Sequence, residues 1–160
     1  MMTLNSIGLE KDKALVLADK LNHLLANFQL YYQNLRGIHW NIKGRNFFDL
    51  HTKFEELYDD ANIKVDEIAE RILTLGEVPL HTHEDYIKNA KVPVGKNISE
   101  DIKAVRLIVE SLTELLKIER DLLEASDDAN DEGTNSMMSD FITEQEKTVW
   151  MMKAWLNETV

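Results

Sequence analysis

His39–Arg71 reads HWNIKGRNFFDLHTKFEELYDDANIKVDEIAER. From about Phe47 to Leu75 the apolar residues Leu50, Phe54, Leu57, Ala61, Val65, Ile68, Ile72 and Leu75 recur at three- and four-residue steps. On a helix turning about 100° per residue they form one narrow stripe, as expected of a face turned to a core. His51, Glu55, Asp66 and Glu70 share a second arc, roughly 130° away by the same count. Histidines with carboxylates are a common ligand set for divalent transition metals.

Axial distance limits what one chain does with this arc. His51 and Glu55 are one turn apart, as are Asp66 and Glu70, but His51 and Asp66 lie roughly 22 Å apart at about 1.5 Å per residue. No single metal centre spans that gap, and both pairs point away from their own core. A second copy of the helix, antiparallel about a two-fold axis, sets His51 and Glu55 of one chain beside Asp66 and Glu70 of the other. Isologous contacts match residues in this reciprocal way. The crossing falls near Asp60 and Ala61, giving two equivalent centres per dimer, each shared between chains.

Upstream, from about Lys11 to Ile42, Ala14, Leu17, Leu21, Leu24, Phe28, Tyr31, Leu35 and Ile38 mark a first amphipathic helix. Gly44 stops it, and Asn46, with Asp49 three residues on, caps the second. Gly76 ends that helix, with Pro79 preventing its continuation. Residues 77–98 form a long connection in which Thr82–Asp85 starts a short helix and Pro93 breaks the chain again. Ser99, with Glu100 and Asp101, opens a third long helix with Ile102, Val105, Val109, Leu112, Leu116 and Leu123 inward. Asp127–Gly133 closes it. Thr134 or Asn135 starts a fourth, with Met138, Phe141, Ile142, Val149, Met152, Trp155 and Leu156 inward. Two short connections and one long one predict an all-α, ferritin-like four-helix bundle, its long crossover carrying a short extra helix. The whole of 1–160 is read as one domain.

Composition narrows the function classes. The chain is 44% hydrophobic, with no apolar run near transmembrane length, so no membrane partner is expected. MMTLNSIGLEKDK lacks the basic start and apolar core of a secretory signal. The chain has no cysteine, which removes disulfides and thiolate metal sites and fits a cytoplasmic protein. A formal charge of −11 opposes nucleic acid and anionic membranes and favours cations.

An in-bundle di-iron site draws on Glu-x-x-His motifs. His23, His39, His51, His81 and His83 are preceded at i−3 by Lys, Arg, Phe, Val and Leu, so the motif is absent. The shared site on the outer face gains by elimination. His39, near the end of the first helix, approaches His51 across the Gly44 turn. Two imidazoles with carboxylates suit Fe(II) better than Ca²⁺ or Mg²⁺, with zinc and copper as competitors. His81-Thr82-His83, Tyr31, Tyr32 and the Met137/Met138 pair read as surface or core residues.

His39-Trp40-Asn41, FFDLHTKF at 47–54, DEIAER at 66–71 and VWMMKAWL at 149–156 together resemble the Dps family, the mini-ferritins, across essentially the whole chain. The resemblance implies a hollow homo-dodecamer built from two-fold dimers. It implies ferroxidase centres using His39, His51 and Glu55 of one chain with Asp66 and Glu70 of its partner. Fe(II) is then oxidised preferentially by hydrogen peroxide and kept as ferric mineral, which protects against oxidative stress. Trp40 matches a family tryptophan that intercepts oxidising equivalents, and a buried aromatic anchor is the alternative reading. Position 55 departs from the pattern: Glu stands where the family usually has Asp, which leaves a mononuclear resting site open. The acidic run Glu119–Glu132 matches the region lining three-fold pores, making Asp127, Asp131 and Glu132 candidates for drawing in Fe(II). Ser136 stands where an acid often occurs. Some members compact DNA, but the first ten residues and the WLNETV end carry no Lys or Arg, so direct DNA binding is not expected here.

Overall fold

The computed structural model describes residues 3–160. The chain runs through α1 (Lys11–Asn41), α2 (Phe47–Leu75), a short α3 (His83–Asn89), α4 (Asp101–Asp128) and α5 (Glu132–Trp155). Among the described residues the only β pairing is an isolated bridge between Leu4 and Glu10. α1 lies along α2, α4 lies along α5, and α1 also packs on α4 and on α3. This is the all-α bundle with one long crossover that the periodicity predicts.

The stripes become the core. Leu17, Leu21, Leu24, Phe28, Leu35 and Ile38 of α1, and Leu50, Phe54, Ala61, Ile68 and Ile72 of α2, are buried together with Val105, Leu112 and Leu122 of α4 and Met138, Phe141 and Met152 of α5. Phe28 meets Phe141 edge-on at 5.9 Å across the bundle. Two residues expected inward are not: Ile102 is 47% exposed and Trp155 39%. Both sit within a turn of a helix end, where the stripe has run past its packing partners.

The turns follow their chemistry, with three corrections. Gly76 takes φ +97°, and the Glu77 N–H donates to Ile72 O at 3.1 Å, a left-handed stop that favours glycine. Asn46 precedes α2 without a side-chain cap; its amide instead donates to Asp101 Oδ2 at 2.8 Å, tying the starts of α2 and α4 together. α4 is preceded by Glu100 rather than Ser99. α5 starts at Glu132, earlier than expected, because the Asp131 carboxylate accepts from the Thr134 N–H.

Three asparagines of α1 fasten the crossover by acting as backbone surrogates. Asn22 bonds Val78 O and the Leu80 N–H, Asn27 accepts from the Lys91 and Val92 N–H groups, and Asn34 bonds Pro93 O and the Gly95 N–H. Gly95 makes a close approach, since a Cβ there would lie 2.5 Å from Leu107 Cδ2 and force that side chain to shift. No described helix is long and apolar enough to cross a membrane.

Candidate metal centre

The short turn after Asn41 folds α2 back on α1 and brings the last turn of one against the early turns of the other. There the His39 and His51 rings stack, with centroids 3.7 Å apart and planes 13° from parallel. Phe47 stacks on the outer side of His51 at 4.9 Å, and Tyr58 meets His39 edge-on at 5.3 Å. His39 Nδ1 lies 2.7 Å from the His51 carbonyl oxygen, and His51 Nδ1 lies 2.8 Å from the His39 carbonyl oxygen. A carbonyl only accepts, so each Nδ1 carries a proton, and the neutral tautomer compatible with that bond has its lone pair on Nε2. Backbone acceptors thus fix the tautomer that metal ligation needs.

One turn beyond His51, exposed Glu55 accepts from the Tyr58 hydroxyl at 3.2 Å. Desolvation, then the charge of Glu55, raises the Tyr58 phenol above its ordinary value and keeps it a donor. Asp66 and Glu70 are exposed farther along α2. Among the described residues, no group of three or more His, Cys, Asp or Glu within the single chain is placed to hold a metal ion. Within one chain His39 and His51 stack, and Tyr58 links His39 to Glu55, without closing a metal site, while Asp66 and Glu70 follow about four turns farther along α2.

Residues 18–160 match the ferritin-like domain of the ferritin family. An uncharacterised protein of Haemophilus influenzae is 50% identical over 153 residues, 96% of each chain. A DNA protection during starvation protein of Porphyromonas gingivalis is 39% identical over 148 residues, 92% of this chain and 93% of that one. The crystal structure of a Dps protein from Vibrio cholerae O1, described as one of the ferritin-like diiron-carboxylate proteins, matches with a TM-score of 0.95 at 47% identity over 98% of both chains. The chain belongs to the Dps family. A zinc-soaked Dps crystal from Listeria innocua gives a TM-score of 0.86 at 31% identity, covering 89% of this chain and 97% of that one.

The remaining residues singled out in this Dps chain separate into two groups. Trp40 is 58% exposed, with the Arg36 guanidinium 4.8 Å above its ring, so within the chain it is no buried anchor. Asp127 and Glu132 are exposed and line a surface cavity of about 190 Å³. Asp131 touches the same cavity but is buried. Its oxygens accept from Arg71 Nη2, Thr134 Oγ1 and the Thr134 N–H, so the carboxylate is committed to the start of α5 rather than to passing cations. His81 engages Pro79 O at 2.9 Å, and His83 leans edge-on to Tyr86, so each has a local partner.

Sequence reasoning missed the polar centre of the bundle. Glu119, counted with the acidic run 119–132, is fully buried, beside buried Gln145. The signal was available: Glu119 lies seven residues after Leu112, about two turns, and so shares its apolar stripe. Lys64 is also buried, its ammonium held 2.7 Å from both Asp60 oxygens and 2.7 Å from Glu144 Oε2. Asp60 and Glu144 border a cavity of about 550 Å³ between α2 and α5 that also takes in Glu70 and Arg71.

Proposed function

We propose that this chain is a ferroxidase and iron-storage protein. Fe(II) is its substrate, hydrogen peroxide its preferred oxidant, and its centres lie between two-fold related chains of a hollow cytoplasmic dodecamer. The observation that carries this reading is the reciprocal Nδ1-to-carbonyl lock, which leaves two Nε2 lone pairs free on stacked rings. Glu55 adds an oxygen donor on the same face of α2, and Asp66 and Glu70 of the partner complete the set. Two imidazoles and three carboxylates suit Fe(II), with zinc as a competitor. Trp40, next to His39 and exposed, is placed in sequence to take up stray oxidising equivalents. Asp127 and Glu132 supply negative charge along a route for Fe(II) into the shell.

The test is anaerobic Fe(II) loading followed by peroxide, monitored by absorbance, on the native chain and a His39→Ala/His51→Ala double variant. The variant is expected to slow by at least the order of 10–100-fold that outer-shell changes alone produce at metal sites. Equal rates would refute the site. A second reading, direct DNA binding, is raised by the name of the Porphyromonas gingivalis relative. The charge of −11 argues that any DNA protection here acts through removal of iron and peroxide. Retardation of DNA in a gel at low salt would reverse that judgement.

A further inference from the structure

At the centre of the bundle, away from the histidine pair, the hydrogen-bond accounting leaves a specific gap. Gln145 Nε2 donates to Glu119 Oε1 across the α4–α5 contact. Glu119 Oε2 and Gln145 Oε1 are both buried and have no partner. Two neighbouring orphan acceptors of this kind are costly, since each forgoes its bonds to water.

Among the described residues, the cations nearest the acid are already engaged. Lys64, from α2, is fully engaged by Asp60 and Glu144 and lies 5.2 Å from the centre of the Phe141 ring. Arg120, the next residue on α4, is held by Glu146 and by the carbonyl of Leu116. From α1 the group facing Glu119 is Tyr31, whose phenol is pushed above its ordinary value by burial first, then by the charges of Asp60 and Glu119. A carboxylate here would be ionised, buried and unpaired, the arrangement proteins avoid by taking up a proton.

We infer that the bundle centre is a proton-binding site: Glu119 is a neutral carboxylic acid whose Oε2–H donates to Gln145 Oε1, so that one proton closes a two-bond ring between α4 and α5. The single proton satisfies both orphan oxygens at once. Burial also raises the Glu119 acid to about 8, against smaller lowering effects of Gln145, Lys64 and Arg120. The proton is therefore held at neutral pH and lost in mildly alkaline solution.

The ring makes folding pH-dependent with a definite sign. Below about pH 4.3 the unfolded chain is protonated at this residue too, and the bond contributes in full. As pH rises the unfolded chain releases its proton first, and stability is lost up to the folded-state value, then levels off.

Glu119→Gln is the matched variant, because the introduced side-chain amide donates to Gln145 Oε1 without needing a proton. The native folding constant, divided by that of E119Q, is expected to fall about tenfold per pH unit from about pH 5 to the folded-state value and then stay flat. Infrared spectra of the native assembled protein give a readout that does not depend on the variant folding. A protonated-carboxyl band, shifted in D₂O, is expected at pH 6, should fall to half its size at about pH 8 and vanish well above that, with one group titrating per chain. The absence of that band at pH 6, or a native-to-E119Q ratio that does not change with pH, would show an ionised Glu119 and overturn the inference.

Discussion

Asp131→Ala is the substitution that best separates a structural acid from a cation-attracting one. The native carboxylate is 3% exposed, caps α5 through the Thr134 N–H at 3.1 Å and pairs with Arg71. Losing an N-cap costs about 1 kcal/mol. Stranding the partner of a fully buried ion pair costs about 3–5 kcal/mol, but the Arg71 side chain is 17% exposed and can reach water, which lowers that part to about 1–2 kcal/mol. The expected total is about 2–3 kcal/mol. Asp131→Asn keeps a capping oxygen and loses the charge, so it should cost about 1–2 kcal/mol. A cycle with Arg71→Ala should show a coupling of about 1–2 kcal/mol. Urea unfolding at fixed chain concentration reads all three, since assembly shifts apparent stability. If D131A costs under about 0.5 kcal/mol, as ordinary surface changes do, while Fe(II) uptake slows, the carboxylate is a pore acid and the structural argument fails.

Asn27→Ala removes the acceptor of two crossover N–H groups, at 2.8 Å from Lys91 and 3.0 Å from Val92. It should cost about 2–4 kcal/mol and speed hydrogen exchange at those two amides before the rest of the chain, as seen by mass spectrometry. Glu158 is clamped by Arg106 at 2.6 Å and Lys153 at 2.9 Å, and these hydrogen bonds, Arg106 first, hold its carboxyl below the usual glutamate value. Its stabilisation is present above about pH 4.3 and lost as pH falls through the lowered folded value. The melting difference between native and Glu158→Gln chains should therefore be constant near neutrality and close in acid.

The fold was legible because its stripes are long. Eight apolar positions in the second helix repeat without interruption from Leu50 to Leu75, and Gly44, Gly76 and Pro79 punctuate them. The separation of His51 from Asp66 was equally readable, being set by helical rise alone. What periodicity does not carry is the identity of partners across helices. Asn22, Asn27 and Asn34 look like ordinary polar residues on α1 until the crossover backbone is laid over them. Asp131 reads as one more charge in an acidic run, because its partner Arg71 is 60 residues away. Glu119 was hidden by the same run, though its stripe position marks it as inward. The Glu-x-x-His search correctly found no such motif, yet could not anticipate a bundle centre filled by an acid, an amide and an ammonium.

The histidine lock has a consequence for single substitutions. His39 is oriented by the backbone carbonyl of His51, and His51 by the backbone carbonyl of His39. A change to alanine removes a ring but leaves that carbonyl in place, so the surviving imidazole keeps its Nδ1 bond and its free Nε2. It loses the stacking partner 3.7 Å away, which widens its motion without changing its tautomer. His39→Ala and His51→Ala should each bind Co(II), used as a redox-stable probe, more weakly but measurably, whereas the double variant should bind far less than either. Outer-shell losses of about 10–100-fold in affinity set the scale for a ligand that is retained but less rigid. Anaerobic titration calorimetry on the assembled protein reads the three variants side by side. Were either single variant as deficient as the double, the remaining ring would not be held by backbone. Orientation would then depend on ring-to-ring contact, and the tautomer argument for two free Nε2 atoms would have to be abandoned.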